Sequence, residues 1–239
     1  MKTTANFMVV ADTETGGLPC EASKGKPEKK AFFDVPLCEV ALVAIDLVNL
    51  KIVDEYSEII SPYKDGLEYS PEAERVHGLS LKHLTENGES VKNVYQSVKS
   101  FLTKYKNPRV GTILCGHNFQ LFDIPFFEGL FEFQQDNLWE YVKFVEDTMK
   151  LGWYRAVEQE NYKLGTCCRL EGVELVDAHR ALVDTRANAQ LMLKYIEHMR
   201  GTGGSSPVAA VSSIRKESRF RERFQLVNVV EPFSVKRGI

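Results

Sequence analysis

Five ionisable side chains fall in three separated clusters of this 239-residue chain. They are Asp12 and Glu14 in Ala-Asp-Thr-Glu-Thr, Asp123 closing Gly-His-Asn-Phe-Gln-Leu-Phe-Asp, and His179 with Asp184 in His-Arg-Ala-Leu-Val-Asp. Four carboxylates and one imidazole meet the needs of phosphodiester hydrolysis by paired divalent cations: oxygen ligands for the ions and a base for the attacking water. Each member alone is a weak signal. An Asp-x-Glu is expected about once by chance in a chain of this length. A lone Asp at a helix start can simply favour the helix dipole or cap the first turn. Taken together, the three clusters read as a nuclease.

The flanking segments predict how these residues are held. Phe7 to Ala11 is an unbroken apolar run ending in Asp12, the pattern of a central strand buried on both faces. Residues two apart on a strand share a face, so Asp12 and Glu14 can aim at one ion. The polar stretch from Pro19 to Asp34, with Lys24, Lys26, Lys29 and Lys30, reads as a surface loop. Leu37 to Asp46 and Lys51 to Ile60, separated by a turn near Asn49, predict an antiparallel hairpin. Helical spacing follows at Val91, Val94, Tyr95, Val98, Phe101, Leu102 and Tyr105. A fourth strand, Val110 to Cys115, runs toward Asp123, and Pro125 suits the first turn of the next helix. Lys143 to Glu146 predicts a fifth strand that delivers Asp147. The last helix, Leu182 to Met199, buries Val183, Ala187, Leu191 and Tyr195. On one continuous helix His179 and Asp184 would diverge by roughly 140°. His179 is therefore expected in the loop before the helix.

The order and spacing of these clusters closely resemble the DEDDh family of 3′-to-5′ exonucleases, which includes bacterial proofreading subunits and repair enzymes. The likeness runs from about Phe7 to Met199. It rests on Asp12-Thr-Glu-Thr-Gly-Gly-Leu18, Arg75-Val-His-Gly-Leu79, His117-Asn118 through Phe122-Asp123, and Ala178-His179-Arg-Ala-Leu-Val-Asp184. Two departures stand out: Gly16 occupies a position where Thr is usual, and His117 to Asp123 is one residue longer than in the replicase proofreading branch. That spacing is more like the three-prime repair exonuclease branch. The resemblance implies an α/β, ribonuclease H-like five-stranded mixed sheet flanked by helices. It implies that Asp12, Glu14 and Asp184 hold one Mg2+, that Asp12 and Asp123 serve a second, with Mn2+ as substitute, and that His179 takes the proton. Thr15, Gly16, Leu18, His77, Leu79, His117 and Asn118 are the implied substrate contacts, although core packing suits the leucines equally and His117 and Asn118 could be structural. Asp147-Thr148 is expected to support the site. His83 and His198 are expected to be exposed.

Composition sets the outer bounds. The chain is 44% hydrophobic, enough for one sizeable core, expected over residues 1–200. No apolar run reaches transmembrane length and no leader-like segment precedes Asp12, so a soluble cytoplasmic protein without a membrane partner is expected. Five cysteines without a C-x-x-C pair argue for reduced thiols and against zinc. Residues 201–239 form a Gly-Ser linker and a tail carrying seven Lys and Arg against three Glu, a net +4 on a chain of net −3. The body is left acidic. An acidic body accords with bound cations that invert the local sign. The expected partner is the 3′ end of single-stranded or frayed DNA, with a polymerase or other replication partner reached through the tail. An exoribonuclease of the same fold and a catalytically silent replisome module are the alternatives.

Overall fold

The computed structural model describes residues 6–18, 30–108, 110–155, 159–175 and 180–201. The first three strands are β1 (Phe7–Thr15), β2 (Leu37–Asp46) and β3 (Lys51–Ile59), followed by helices α1 (Pro71–His77), α2 (Leu81–Asn87) and α3 (Val91–Lys104). Then come β4 (Thr112–Gly116), α4 (Asp123–Phe133), β5 (Val142–Asp147), α5 (Thr148–Arg155), α6 (Leu164–Glu171) and α7 (Ala181–Arg200). The sheet order is β3-β2-β1-β4-β5. β1 and β3 each pair antiparallel with β2, whereas β4 runs parallel to both β1 and β5. This is the ribonuclease H-like mixed sheet.

The alternation of side chains along β1 and β2 divides the interior into two cores. Val9 and Ala11, with Val40, Leu42 and Ala44, pack against Val94, Val98 and Leu102 of α3 and Phe127 and Leu130 of α4. Met8 and Val10, with Val43 and Ile45, pack instead on Ala189, Met192 and Ile196 of α7. Because both faces are covered, every residue of β2 is buried. The period of two places Asp12 and Glu14 of β1, and Glu39 of β2, on the α7 face. Thr13 points the other way, toward α4.

Four short helices, α1, α2, α5 and α6, go beyond the sequence expectation, as does the burial of the segment from Ala31 to Pro36. As far as Asp34 that segment was expected at the surface. Instead Phe32 is fully buried and stacks on Tyr63 with ring centroids 4.4 Å apart. Gly129 of α4 makes the room: a Cβ there would lie 2.4 Å from the Phe32 Cβ. The four lysines and the intervening charge disguised a two-residue aromatic plug, Phe32-Phe33, at the far end of the stretch. The tail, residues 202–239, lies outside the described residues.

Candidate active site

Asp12, Glu14 and Asp184 each present a carboxylate oxygen, and these atoms lie within 4.8 Å of one another. Two come from one face of β1 and the third from the first turn of α7, which packs across β1 and β2. Burial, and then the negative charges of Asp123, Glu14 and Asp184, hold the Asp12 carboxyl well above the usual carboxylate range. Burial, followed by repulsion from Asp184, Glu39 and Asp123, pushes Glu14 up to about 8. Asp123 stands apart from this trio. It is 2% exposed at the start of α4, and its Oδ1 accepts a 2.6 Å hydrogen bond from the Thr13 hydroxyl. Burial raises it to about 7 against the opposing effect of that bond. Asp123 nonetheless comes first among the charges that raise Asp12. An all-oxygen donor set, partly buried and short of positive charge, suits a hard divalent cation.

Beside the trio lies a cleft of about 720 Å3, walled by Glu14 to Leu18, by Glu68 to Ala73 with Val76 and His77, and by Phe122. Gly16 belongs to its floor. Its N–H donates to the Pro36 carbonyl at 2.8 Å, and its own carbonyl accepts from Ser70 N–H at 2.6 Å. A Cβ at this position would meet Pro36 Cγ at 2.5 Å and Tyr69 Cδ2 at 3.0 Å, which explains why glycine stands there. Thr15 is buried, its hydroxyl turned back to the Gly17 carbonyl at 2.9 Å. Leu18 stands 68% exposed at the rim.

His77 is buried at the end of α1. Its Nε2 faces the Thr15 carbonyl at 3.2 Å and its Nδ1 accepts from Leu79 N–H at 3.1 Å. Those partners fix the neutral Nε2–H tautomer, and burial, the largest influence, also keeps its pKa below the ordinary value. For Leu79, where substrate contact and core packing were equally open, the packing is clear. The residue is 3% exposed and packs with Cys38 and Leu84 in a small core, while its carbonyl accepts from the Tyr69 hydroxyl. A leucine following a Gly helix stop fills the space beneath the helix rather than the cleft.

The segment from His117 to Phe122 is held from behind. Asp147, at the end of β5, accepts from the N–H groups of Asn118 and Phe119 at 3.1 and 3.0 Å and from Met149 at 2.9 Å, capping α5 as it does so. His117 bonds Thr148 Oγ1 at 2.9 Å and the Tyr162 carbonyl at 2.8 Å, and Asn118 takes the left-handed backbone with φ 58°. Both ring nitrogens of His117 are therefore engaged within the protein. His117 and Asn118 shape the segment that delivers Phe122 and Asp123, and neither lines the cleft.

Glu39 is a residue that the sequence reading passed over. It is 3% exposed, pairs in register with Glu14 across β1 and β2, and receives Arg180 Nε at 3.3 Å and Ala181 N–H at 3.4 Å. The available signal was a single acid within the apolar run Leu-Cys-Glu-Val-Ala-Leu-Val-Ala-Ile. His198 is a further correction: its side chain is 13% exposed and meets Glu171 at 2.8 Å, beside the Arg155–Glu171 pair. His83 is exposed on α2. His179 lies outside the described residues; α7 begins two positions after it.

No family model matches the chain. It is 26% identical over 179 residues to the PolC-type DNA polymerase III of Caldanaerobacter subterraneus subsp. tengcongensis, covering 74% of this chain and 12% of that polymerase. Against the Bacillus subtilis protein of the same description the identity is 26% over 192 residues, covering 79% and 11%. The chain thus spans about an eighth of the length of these relatives. Among solved structures, a zinc-bound complex of Escherichia coli exonuclease I with single-stranded DNA superposes with TM-score 0.65 at 17% identity, covering 82% of this chain and 41% of that one. The nuclease domain of 3′hExo, described as a DEDDh family member bound to rAMP, superposes with TM-score 0.63 at 14% identity, covering 82% and 94%. At these identities the solved structures share this chain's fold, the ribonuclease H-like five-stranded mixed sheet flanked by helices.

Proposed function

We propose, taking the ribonuclease H-like fold and the DEDDh resemblance as premise, that this chain is a 3′-to-5′ exonuclease releasing nucleoside monophosphates from single-stranded or frayed DNA. The observation that carries this reading is the convergence of Asp12, Glu14 and Asp184 within 4.8 Å beside a cleft to which Glu14 itself contributes. Asp12, Glu14 and Asp184 would hold one Mg2+, and Asp12 with Asp123 a second, with Mn2+ able to replace them. Bound cations supply an acidified water and positive charge against the phosphate. Leu18, Val76 and Phe122 offer apolar surface on which a terminal base can stack. His77, locked as the neutral tautomer, braces the end of β1 and leaves proton transfer to His179. A cleft of this volume suits an unpaired end better than an intact duplex.

Support for DNA comes from the polymerase relatives and from exonuclease I, which is described in complex with dA16 and dT13 oligonucleotides. The second reading, an exoribonuclease, is favoured by the 3′hExo domain, whose ligand is rAMP. The 2′-hydroxyl is sensed by local contacts that the carboxylates do not provide. A silent replisome module is disfavoured because Asp12, Glu14, Asp123, His179 and Asp184 are all present. The basic tail of residues 201–239 is taken as a seat for long substrate or for a polymerase or other replication partner. Among the described residues no helix is long and apolar enough to cross a membrane; a cytoplasmic location is part of the proposal. The test compares mononucleotide release from labelled DNA and RNA oligomers of one sequence, with Mg2+ and with chelator. Release from neither would overturn the activity, and faster release from RNA would select the second reading.

A further inference from the structure

We propose that Glu39 is a positioning residue for the candidate metal site, setting Asp184 against Asp12 and Glu14 by anchoring the start of α7 to the sheet. The inference rests on the functional reading above and adds a residue to it.

α7 carries no cap of its own. Its N-cap residue is Arg180, whose side chain makes no capping hydrogen bond, although the helix is twenty residues long. The first helical N–H, from Ala181, instead donates to Glu39 Oε2 at 3.4 Å. The same carboxylate receives the Arg180 guanidinium in a fork, Nε to Oε2 at 3.3 Å and Nη2 to Oε1 at 3.5 Å, and Oε1 also accepts from the Ser57 hydroxyl at 3.1 Å. One side chain on β2 thus ties together β3, the helix N-terminus and the residue that follows His179 in sequence. A carboxylate at a helix N-terminus is favoured by the aligned peptide dipoles, and a planar fork fixes direction as well as distance.

The placement matters because Asp184 lies one turn into the same helix. A carboxylate that must meet two others within 4.8 Å is sensitive to where its helix begins. Glu39 sits directly across from Glu14 in the sheet register, on the face that bears Asp12. Left unpaired, it would be another negative charge at the site. With its side chain 4% exposed and held by Arg180, it is occupied by the protein and serves as a strut, not a ligand. Arg180 in turn opposes the rise in the pKa of Glu14.

The test uses the full chain with Glu39→Gln, which keeps an acceptor but removes the charge. The primary readout is the Mg2+ concentration that half-saturates the rise in melting temperature. A strut of this kind should raise that concentration 10- to 100-fold, the usual effect of removing a group that orients a metal ligand, while the melting temperature in chelator changes little. An unchanged Mg2+ dependence, with or without a lower melting temperature in chelator, would overturn the proposal. Should Glu39→Gln fail to fold, Arg180→Gln tests the same link at a side chain that is 53% exposed. It should weaken Mg2+ in the same direction, with Arg180→Lys partly restoring it; wild-type Mg2+ affinity in both variants would likewise overturn the anchor. Mononucleotide release by the unmodified chain separates the two readings, since its absence would sink the exonuclease assignment and leave the Mg2+ comparison to judge Glu39.

Discussion

Removing divalent cations should make the stability of this protein fall as pH rises, and adding Mg2+ should abolish that fall. Glu14 carries the argument, because burial and the charges of Asp184, Glu39 and Asp123 move its carboxyl from 4.5 to about 8. A group whose folded pKa lies above its unfolded value holds its proton more tightly when folded. Its stabilising contribution is complete below about 4.5 and is lost as pH climbs through about 8. At about 1.4 kcal/mol per pH unit the whole interval is worth about 5 kcal/mol as a ceiling. Water reaching this partly exposed side chain lowers the expectation to roughly 2–3 kcal/mol, or about 5–10 °C in melting temperature for a domain of this size. Asp12 and Asp123 shift in the same direction and add to the sign without being summed. Cations bound to the folded state take the place of the protons, contributing about 2.7 kcal/mol at a hundredfold excess over Kd. The assay is thermal unfolding at pH 5, 6.5 and 8, in chelator and in Mg2+. Asp12→Asn should flatten the chelator curve and abolish cleavage. Equal melting temperatures at pH 5 and pH 8 in chelator, or a slope that Mg2+ leaves untouched, would refute the reasoning.

Three further outcomes follow from individual residues. His179→Ala should lower turnover by about two to four orders of magnitude with little change in Mg2+ affinity; unchanged rates at high pH would identify another group as the base. Gly16→Thr, which installs the residue usual in the resembling family, should destabilise by about 1–3 kcal/mol in urea unfolding, because its Cβ falls 2.5 Å from Pro36 Cγ; an unshifted midpoint would contradict the packing argument. Truncation after Gly204 should preserve cleavage of short oligomers but weaken binding to long ones, with a shallower salt dependence; identical salt slopes would remove the tail from the nucleic-acid site.

The centre of the sheet was legible because β1 and β2 are apolar on both faces. Leu37 to Asp46 was read to the residue, and β1 overran its expected end only by the polar residues through Thr15. The long helix α7 was legible from its period of four. The short helices were not, because seven or eight residues contain too few apolar repeats. Their caps were visible all the same: Ser70 accepts from Glu72 N–H with Pro71 at the first helical position, and Ser80 accepts from His83 N–H. In the site, Asp12 and Glu14 could be paired from strand parity alone, whereas bringing Asp184 to them needed the fold. Glu39 was hidden by the habit of reading an apolar run as packing, and its meaning depends on Arg180, 141 residues away. The choice between core and cleft for Leu79 stayed open for a similar reason, since a motif records which residue occurs and not which way its side chain turns.

The burial of Phe32 and the bond between Gly16 and Pro36 have a consequence for how such a domain can diversify. The chain that leaves the cleft rim at Leu18 is pinned again by Phe32 stacked on Tyr63 and by the Gly16 N–H to Pro36 carbonyl bond at 2.8 Å. Both contacts are made by residues on either side of positions 19–29, and they hold the end of β1 whatever number of residues joins Leu18 to Lys30. A change in the number of residues between Leu18 and Lys30 is therefore expected to leave β1 and its carboxylates in place, because the contacts that hold them do not depend on that length.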